Sequence, residues 1–286
     1  MNKFLSAAFA AALVSCATAP APAPAAAPPA PAPLAAAAAP APAVTTVTYE
    51  EPLPVSVKSF YPNGDASGSV TTKYTAEGQL LSQETYNGNG VLIETRAGKA
   101  RAGVWRITVT NAQTGETVSL EDRTVGPQGE LLVQTLLNAK EVPQASNEYT
   151  YSSGRRVQWL AKTGSGAVQA RTSYLYDAKG NNTRTEVYDA GGALTNVFVS
   201  TYNDLGQITA RQGFDAWQNL VEQTAFTWKD GRKVKEETTK PLLRSTEYSY
   251  GPKDAATGIV LSVRGKVVER QTIDYQWFTK TKTVNP

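Results

Sequence analysis

A repeated turn constrains this chain more than any other feature. An aromatic residue followed four positions later by glycine occurs in YTAEG (74–78), YNGNG (86–90), YDAKG (176–180), YDAGG (188–192) and YNDLG (202–206). Looser copies are FYPNG ending at Gly64, YSSG ending at Gly154, FDAWQ from Phe214 and WKDG ending at Gly231. The aromatics Tyr176, Tyr188, Tyr202, Phe214 and Trp228 stand 12, 14, 12 and 14 residues apart, a 26-residue period of two strands and two turns. The glycines, among them Gly180, Gly192 and Gly206, supply the positive φ such turns need. The Asp or Asn after the aromatic can bond the turn backbone. An aliphatic residue recurs two positions after the glycine, at Leu80, Leu92, Leu131, Leu194 and Ile208. It is placed to pack across the turn against the aromatic, a cross-strand pair of about 0.2–1 kcal/mol.

Between turns the chain has little helical periodicity and many Thr, Val and Tyr residues. ALTNVFVSTY (193–202) alternates as a strand does, with Leu194, Phe198 and Tyr202 at one parity and Val197, Val199 and Thr201 at the other. The expected fold is all-β: an antiparallel meander of 14 to 18 strands forming an extended, twisted, open sheet. Openness is inferred from strands polar on both sides, such as RKVKEETT (232–239), where a sheet with one wet face would alternate. VWRITV (104–109), LLVQTLL (131–137) and IVLSV (259–263) are the candidate local cores. Successive turns fall on opposite edges of a meander. Tyr176, Tyr202 and Trp228 should therefore line one edge and Tyr188 and Phe214 the other, with members of one row about 9.6 Å apart. At that spacing they act as turn locks in preference to a carbohydrate-stacking platform.

YDAKG, YDAGG, YNDLG and FDAWQ resemble the YD repeats of Rhs-type bacterial proteins, most clearly over 174–240. The match is weaker over 60–95 and fades over 96–147. Arginine directly after the glycine, common in that pattern, occurs only at Arg155 and Arg232. The resemblance implies a β-sheet spiral. Too few strands for a cocoon, and no toxin-like carboxy-terminal domain, argue against an encapsulating role.

The amino terminus has the order of an export signal. Lys3 supplies a positive n-region and Phe4 to Val14 an apolar h-region of eleven residues. That is too short to span a bilayer, which takes about 20 apolar residues. LVSC (13–16) resembles the bacterial lipobox, which implies cleavage between Ser15 and Cys16 and lipidation of Cys16, the only cysteine. Several acyl chains on one residue exceed what stable anchoring requires. Ala17, where aspartate would suggest inner-membrane retention, favours the outer membrane. From Ala17 to Ala43 the chain is Ala and Pro apart from Thr18 and Leu34. Proline excludes a regular helix there and favours polyproline II, reaching about 80 Å at about 3.1 Å per residue. The expected organisation is a signal peptide (1–15), a lipidated and disordered linker (16–48), an irregular β region (49–146) and the regular repeat region (147–286).

The absence of histidine excludes Ser/His/Asp and Cys/His catalysis and histidine metal sites, and a single cysteine excludes an internal disulfide. Seven of nine aspartates lie in predicted turns, where turn chemistry explains them; Asp122 and Asp274 are the others. Glu121 with Asp122, and Glu236 with Glu237, would point to opposite faces of a strand. No catalytic residue, metal or cofactor is assigned. A net charge of +3 with scattered Lys and Arg does not point to nucleic acid. The expected function is that of a non-enzymatic envelope lipoprotein, held on a membrane by its lipid, whose sheet binds or scaffolds an extracytoplasmic protein or polysaccharide. A protein partner would add a strand to an exposed edge. The alternatives are a lipid carrier with an apolar groove and a carboxylate-based glycan hydrolase.

Overall fold

The computed structural model describes residues 45–284. The signal peptide, the Ser15/Cys16 junction and the Ala/Pro run lie outside the described residues. The strands in chain order are β1 (Thr45–Phe60), β2 (Ala66–Tyr74), β3 (Leu80–Asn87), β4 (Leu92–Arg101), β5 (Val104–Asn111) and β6 (Thr117–Val125). There follow β7 (Leu131–Asn138), β8 (Pro143–Ser152), β9 (Arg155–Thr163), β10 (Val168–Tyr176), β11 (Asn182–Asp189) and β12 (Leu194–Tyr202). The last six are β13 (Ile208–Asp215), β14 (Leu220–Lys229), β15 (Arg232–Lys240), β16 (Arg244–Tyr250), β17 (Ala256–Val263) and β18 (Lys266–Val284). Each pairs antiparallel with the next, and β18 pairs with β1 from Thr45↔Val284 to Phe60↔Arg270.

That last pairing corrects the expected architecture. The meander of hairpins is present, but its sheet closes into an 18-stranded barrel and is not open. The charged side chains of the polar strand that suggested an open sheet pair with one another along it instead. On β15, Lys233 Nζ donates to Glu236 Oε2 at 2.9 Å, and Lys235 Nζ to Glu237 Oε2 at 2.5 Å. Closure also removes the edge strands along the barrel wall that the strand-addition reading required. β8 runs through the expected boundary at 146/147 and pairs with both β7 and β9.

The ten connections that give the chain its rhythm share one geometry. In residues 177–181, the Asp177 amide donates to the Asn181 carbonyl (3.0 Å) and the Gly180 amide to the Asp177 carbonyl (3.0 Å). Asp177 Oδ1 accepts from the Asn181 amide at 2.8 Å. This is a type I turn followed by a left-handed residue, here Gly180 at φ +87°, the three-residue hairpin that suits right-handed strand twist. Asn87, Asn138, Asp189, Asn203 and Asp215 use their side chains in the same way. Hydrogen bonds from Asn181 hold the Asp177 carboxyl below its ordinary range. Across the turns Tyr74↔Leu80, Tyr86↔Leu92, Tyr188↔Leu194, Tyr202↔Ile208 and Phe214↔Leu220 are cross-strand partners.

The two faces follow from the register. Thr72, Gly98, Ile107, Thr172, Gly213, Thr224 and Ile273 lie on one face and are buried, with Ile107 and Thr224 each 1% exposed. On the opposite face Lys58, Lys73, Glu84, Arg184, Glu247 and Arg270 are exposed. The first is the concave face of the barrel. It carries a polar relay across β6–β9. Arg123 and Gln134 both donate to Glu121 Oε1, Asn147 donates to Gln134 Oε1, and Trp159 Nε1 donates to Asn147 Oδ1. The convex face is itself covered over β5–β7. There Arg106 is bonded to Asp122 and paired with Glu141 of the β7–β8 connection, and Leu120 and its partner Leu137 are buried.

Candidate functional site

Aromatic residues finish the barrel differently at its two ends. At the end where β1 begins and β18 finishes, a ring OH or NH bonds a backbone carbonyl at or near the start of an earlier strand. Tyr176 bonds Arg156 (2.7 Å), Tyr202 bonds Asn182 (2.8 Å) and Trp228 bonds Ile208 (2.7 Å). Trp105, Tyr151, Tyr250 and Tyr275 do the same to Leu80, Leu131, Lys233 and Ala256, and Tyr74 bonds the Pro54 carbonyl within β1. A register shift sits beside Tyr176, Tyr202 and Trp228, where one residue leaves the ladder. Burial raises the phenol pKa of both Tyr176 and Tyr202. At the other end Tyr188 bonds Glu186 under the guanidinium of Arg171, 4.0 Å from the ring centroid, and Phe214 has no polar handle. Gly180, Gly206 and Gly231 belong to the first end and Gly192 to the second. Tyr202→Phe is expected to lower stability by about 0.5–1.5 kcal/mol, the worth of one such bond, in equilibrium urea unfolding.

The terminal strands extend past this first end. Beyond Pro54↔Tyr275, β1 and β18 pair only with each other, because β2 joins β1 at Ser56 and β17 joins β18 up to Thr272. This two-stranded ribbon leans on the rim. The buried Phe278 packs edge-on against Tyr74, with ring centroids 5.8 Å apart, and Lys280 Nζ donates to the Glu77 carbonyl of the β2–β3 connection. On its other flank Lys253, from the β16–β17 connection, lies 5.1 Å from the Trp277 ring and 3.9 Å from Glu50. The β1 edge of the ribbon is protected against further pairing by Pro52 and Pro54, which lack an amide proton.

Between the ribbon and the rim of β6–β9 is a cleft of about 490 Å³. Tyr49, Glu51 and Lys280 line it from the ribbon. Gln128, Glu130 and Tyr151 line it from the opposing rim. Glu130 is partly committed, accepting the Gln128 amide at 2.9 Å, and Lys280 Nζ stands 3.9 Å from Glu51. Behind Tyr151 the guanidinium of Arg156 lies 6.0 Å from its ring and 4.6 Å from that of Tyr149. The cleft thus offers two phenol rings, carboxylate and amide acceptors, and one ammonium. Among the described residues no group of three or more acidic side chains is placed to hold a metal.

Of the turn residues singled out from the sequence, Tyr151 and Gly154 of YSSG line this cleft, and the rest of it is assembled from positions that do not stand out locally. Tyr151 carried a signal, as the aromatic of YSSG. Tyr49 carried one only as the first aromatic residue after the Ala/Pro run, and Glu51 only as the neighbour of Glu50, the first acidic residue there.

No family model and no curated relative matches the chain. Among solved structures, it is similar to a porin-like protein from Bacteroides uniformis ATCC 8492 at 10% identity, covering 78% of this chain and 97% of that one, with a TM-score of 0.42. A porin-like protein from Bacteroides vulgatus ATCC 8482 is similar at 9% identity, covering 79% and 99%, with a TM-score of 0.38. A likeness this slight carries nothing about function.

Proposed function

We propose that this protein is a non-enzymatic lipoprotein of the bacterial envelope, lipidated on Cys16, whose water-facing barrel binds a polysaccharide in the cleft beneath its terminal ribbon. The observation that carries the reading is the cleft lining. Rings of Tyr49 and Tyr151 beside the Glu51 and Gln128 acceptors suit a neutral, hydroxyl-rich chain, which needs apolar faces and hydrogen-bond partners together. Polysaccharide is favoured over a protein strand because closure leaves the barrel wall without an edge. The exposed charges of the convex face oppose insertion of the wall into lipid. An Arg or Lys on such a face costs about 2–4 kcal/mol at the bilayer midplane, and Lys58, Lys73, Arg184 and Arg270 all lie there. The polar relay on the concave face likewise opposes an apolar carrier groove. The repeated turns, similar to YD repeats, serve in this reading to build the barrel and not to contact ligand.

Affinity electrophoresis of the full chain against envelope polysaccharides tests this, alongside fatty-acid labelling of wild type and Cys16→Ala. Binding is expected to weaken about tenfold in Tyr49→Ala, the loss of one stacked ring and its contacts, and labelling is expected to vanish in Cys16→Ala. Retardation unaffected by Tyr49→Ala would remove the cleft from the proposal. Turnover of a glycan abolished by Glu51→Gln would replace binding with hydrolysis.

A further inference from the structure

The end of the barrel opposite the ribbon carries a patch that the cleft does not explain. Three consecutive connections there, β13–β14 (216–219), β15–β16 (241–243) and β17–β18 (264–265), sit side by side in the closed sheet. The last two touch, the Arg264 amide donating to the Leu243 carbonyl at 2.9 Å. Each presents a large apolar side chain to solvent: Trp217 is 82% exposed, Leu243 43% and, just past its turn, Val268 40%. Trp217 is not a loose tip. Asp215 Oδ1 accepts its amide at 3.0 Å and that of Asn219 at 2.8 Å, so the turn holds the indole outward.

Four exposed cations flank the second and third of these connections, namely Lys240, Arg244, Arg264 and Lys266, and none has a carboxylate within ion-pair distance among the described residues. The nearby carboxylates are engaged elsewhere. Asp215 is bonded within its turn, Glu222 to Arg211, and Glu269 to Gln271. Exposed cations without a carboxylate partner, at the same end of the barrel as an exposed indole and two aliphatic chains, are what an anionic bilayer surface selects, the cations meeting headgroups while the apolar tips enter the interface.

We infer that this patch docks the barrel on an anionic lipid surface. The occupant is lipid and not a soluble polyanion, because a polyanion would engage the cations and gain nothing from Leu243 and Val268. The inference does not depend on lipidation, and the reach expected from sequence for the Ala/Pro run, about 80 Å at about 3.1 Å per residue, is more than a nine-residue strand spans at about 3.3 Å per residue. An acylated Cys16 is therefore compatible with either end of the barrel on the bilayer.

The test uses the unacylated full-length chain with vesicles of phosphatidylcholine containing phosphatidylglycerol, and vesicles of phosphatidylcholine alone. Because residues 1–44 contain no tryptophan, indole quenching by brominated lipid reports the barrel and not the signal peptide. Quenching is expected with anionic vesicles and is expected to be lost in Trp217→Phe. Arg244→Gln with Arg264→Gln should weaken the quenching-detected binding about twenty-five-fold, taking each basic residue near such a surface as worth about a factor of five. Lys58→Glu with Lys73→Glu on the barrel wall should leave it within about twofold, since those side chains lie away from the surface. Equal quenching with both vesicle types, quenching that survives Trp217→Phe, or binding to soluble heparin without lipid quenching would overturn the assignment.

Discussion

Replacing Arg106 with alanine is expected to lower the unfolding free energy by about 3 kcal/mol, read as a fall in the urea midpoint at unchanged slope. Arg106 lies on the convex face of β5 with its side chain only 8% exposed. Its Nε and Nη2 each bond one Asp122 oxygen at 2.6 Å, and its Nη1 stands 3.0 Å from Glu141. The Asp122 bonds raise the guanidinium pKa above its ordinary value, so the charge persists at any accessible pH. Truncating the arginine leaves Asp122 with an uncompensated charge in a sheltered site and removes the contact with Glu141 of the β7–β8 connection. The low end of the range for buried pairs applies because a barrel wall one sheet thick leaves water close by. Arg106→Leu combined with Asp122→Leu should recover most of the loss, since removing both charges removes the desolvation penalty. If the double variant is no more stable than the single, the charge pair is not the source. By contrast, the exposed pair of Arg184 and Glu186 should contribute less than about 1 kcal/mol.

The second large effect is expected at Gly98. The Trp105 side chain of β5 crosses β4 to reach the Leu80 carbonyl of β3, 3.0 Å from its Nε1, and it does so over Gly98. A Cβ at that position would stand 1.9 Å from the Leu80 oxygen and 2.6 Å from the indole nitrogen, closer than atoms can approach. Gly98→Val must displace either the strand or the indole. Crowding of this kind costs about 1–3 kcal/mol, and a carbonyl stripped of its donor in a half-buried rim costs about 1–3 kcal/mol more. Trp105→Phe alone should show the second part only. In the Gly98→Val background it should add little, and strict additivity of the two would mean that they do not share one site.

The hairpin was legible in the sequence because it is local. The Asp177 side chain, the Gly180 φ and the Asn181 amide lie within five residues, and the Tyr202↔Ile208 pair within seven. Nothing distant is needed to decide that such a segment turns, or on which end of a meander each aromatic falls. Closure was not legible. It depends on β1 meeting β18 across more than two hundred residues, and Thr45–Phe60 and Lys266–Val284 carry no matching pattern that marks them as partners. Polar strands misled for a related reason. Alternation reports whether a face is wet, but Glu121, Gln134, Asn147 and Trp159 satisfy one another across four strands, so a sheltered face can be polar. The cleft is a consequence of closure, since Lys280 meets the Glu77 carbonyl and Tyr49 shares a cleft with Tyr151 only once β1 and β18 are paired. The sequence by itself therefore determined the strands, the turns and the two aromatic rows, all set by backbone chemistry over a few residues. The tertiary structure alone decided that the sheet is a barrel and where it can hold a ligand, because both rest on contacts between residues far apart in the chain.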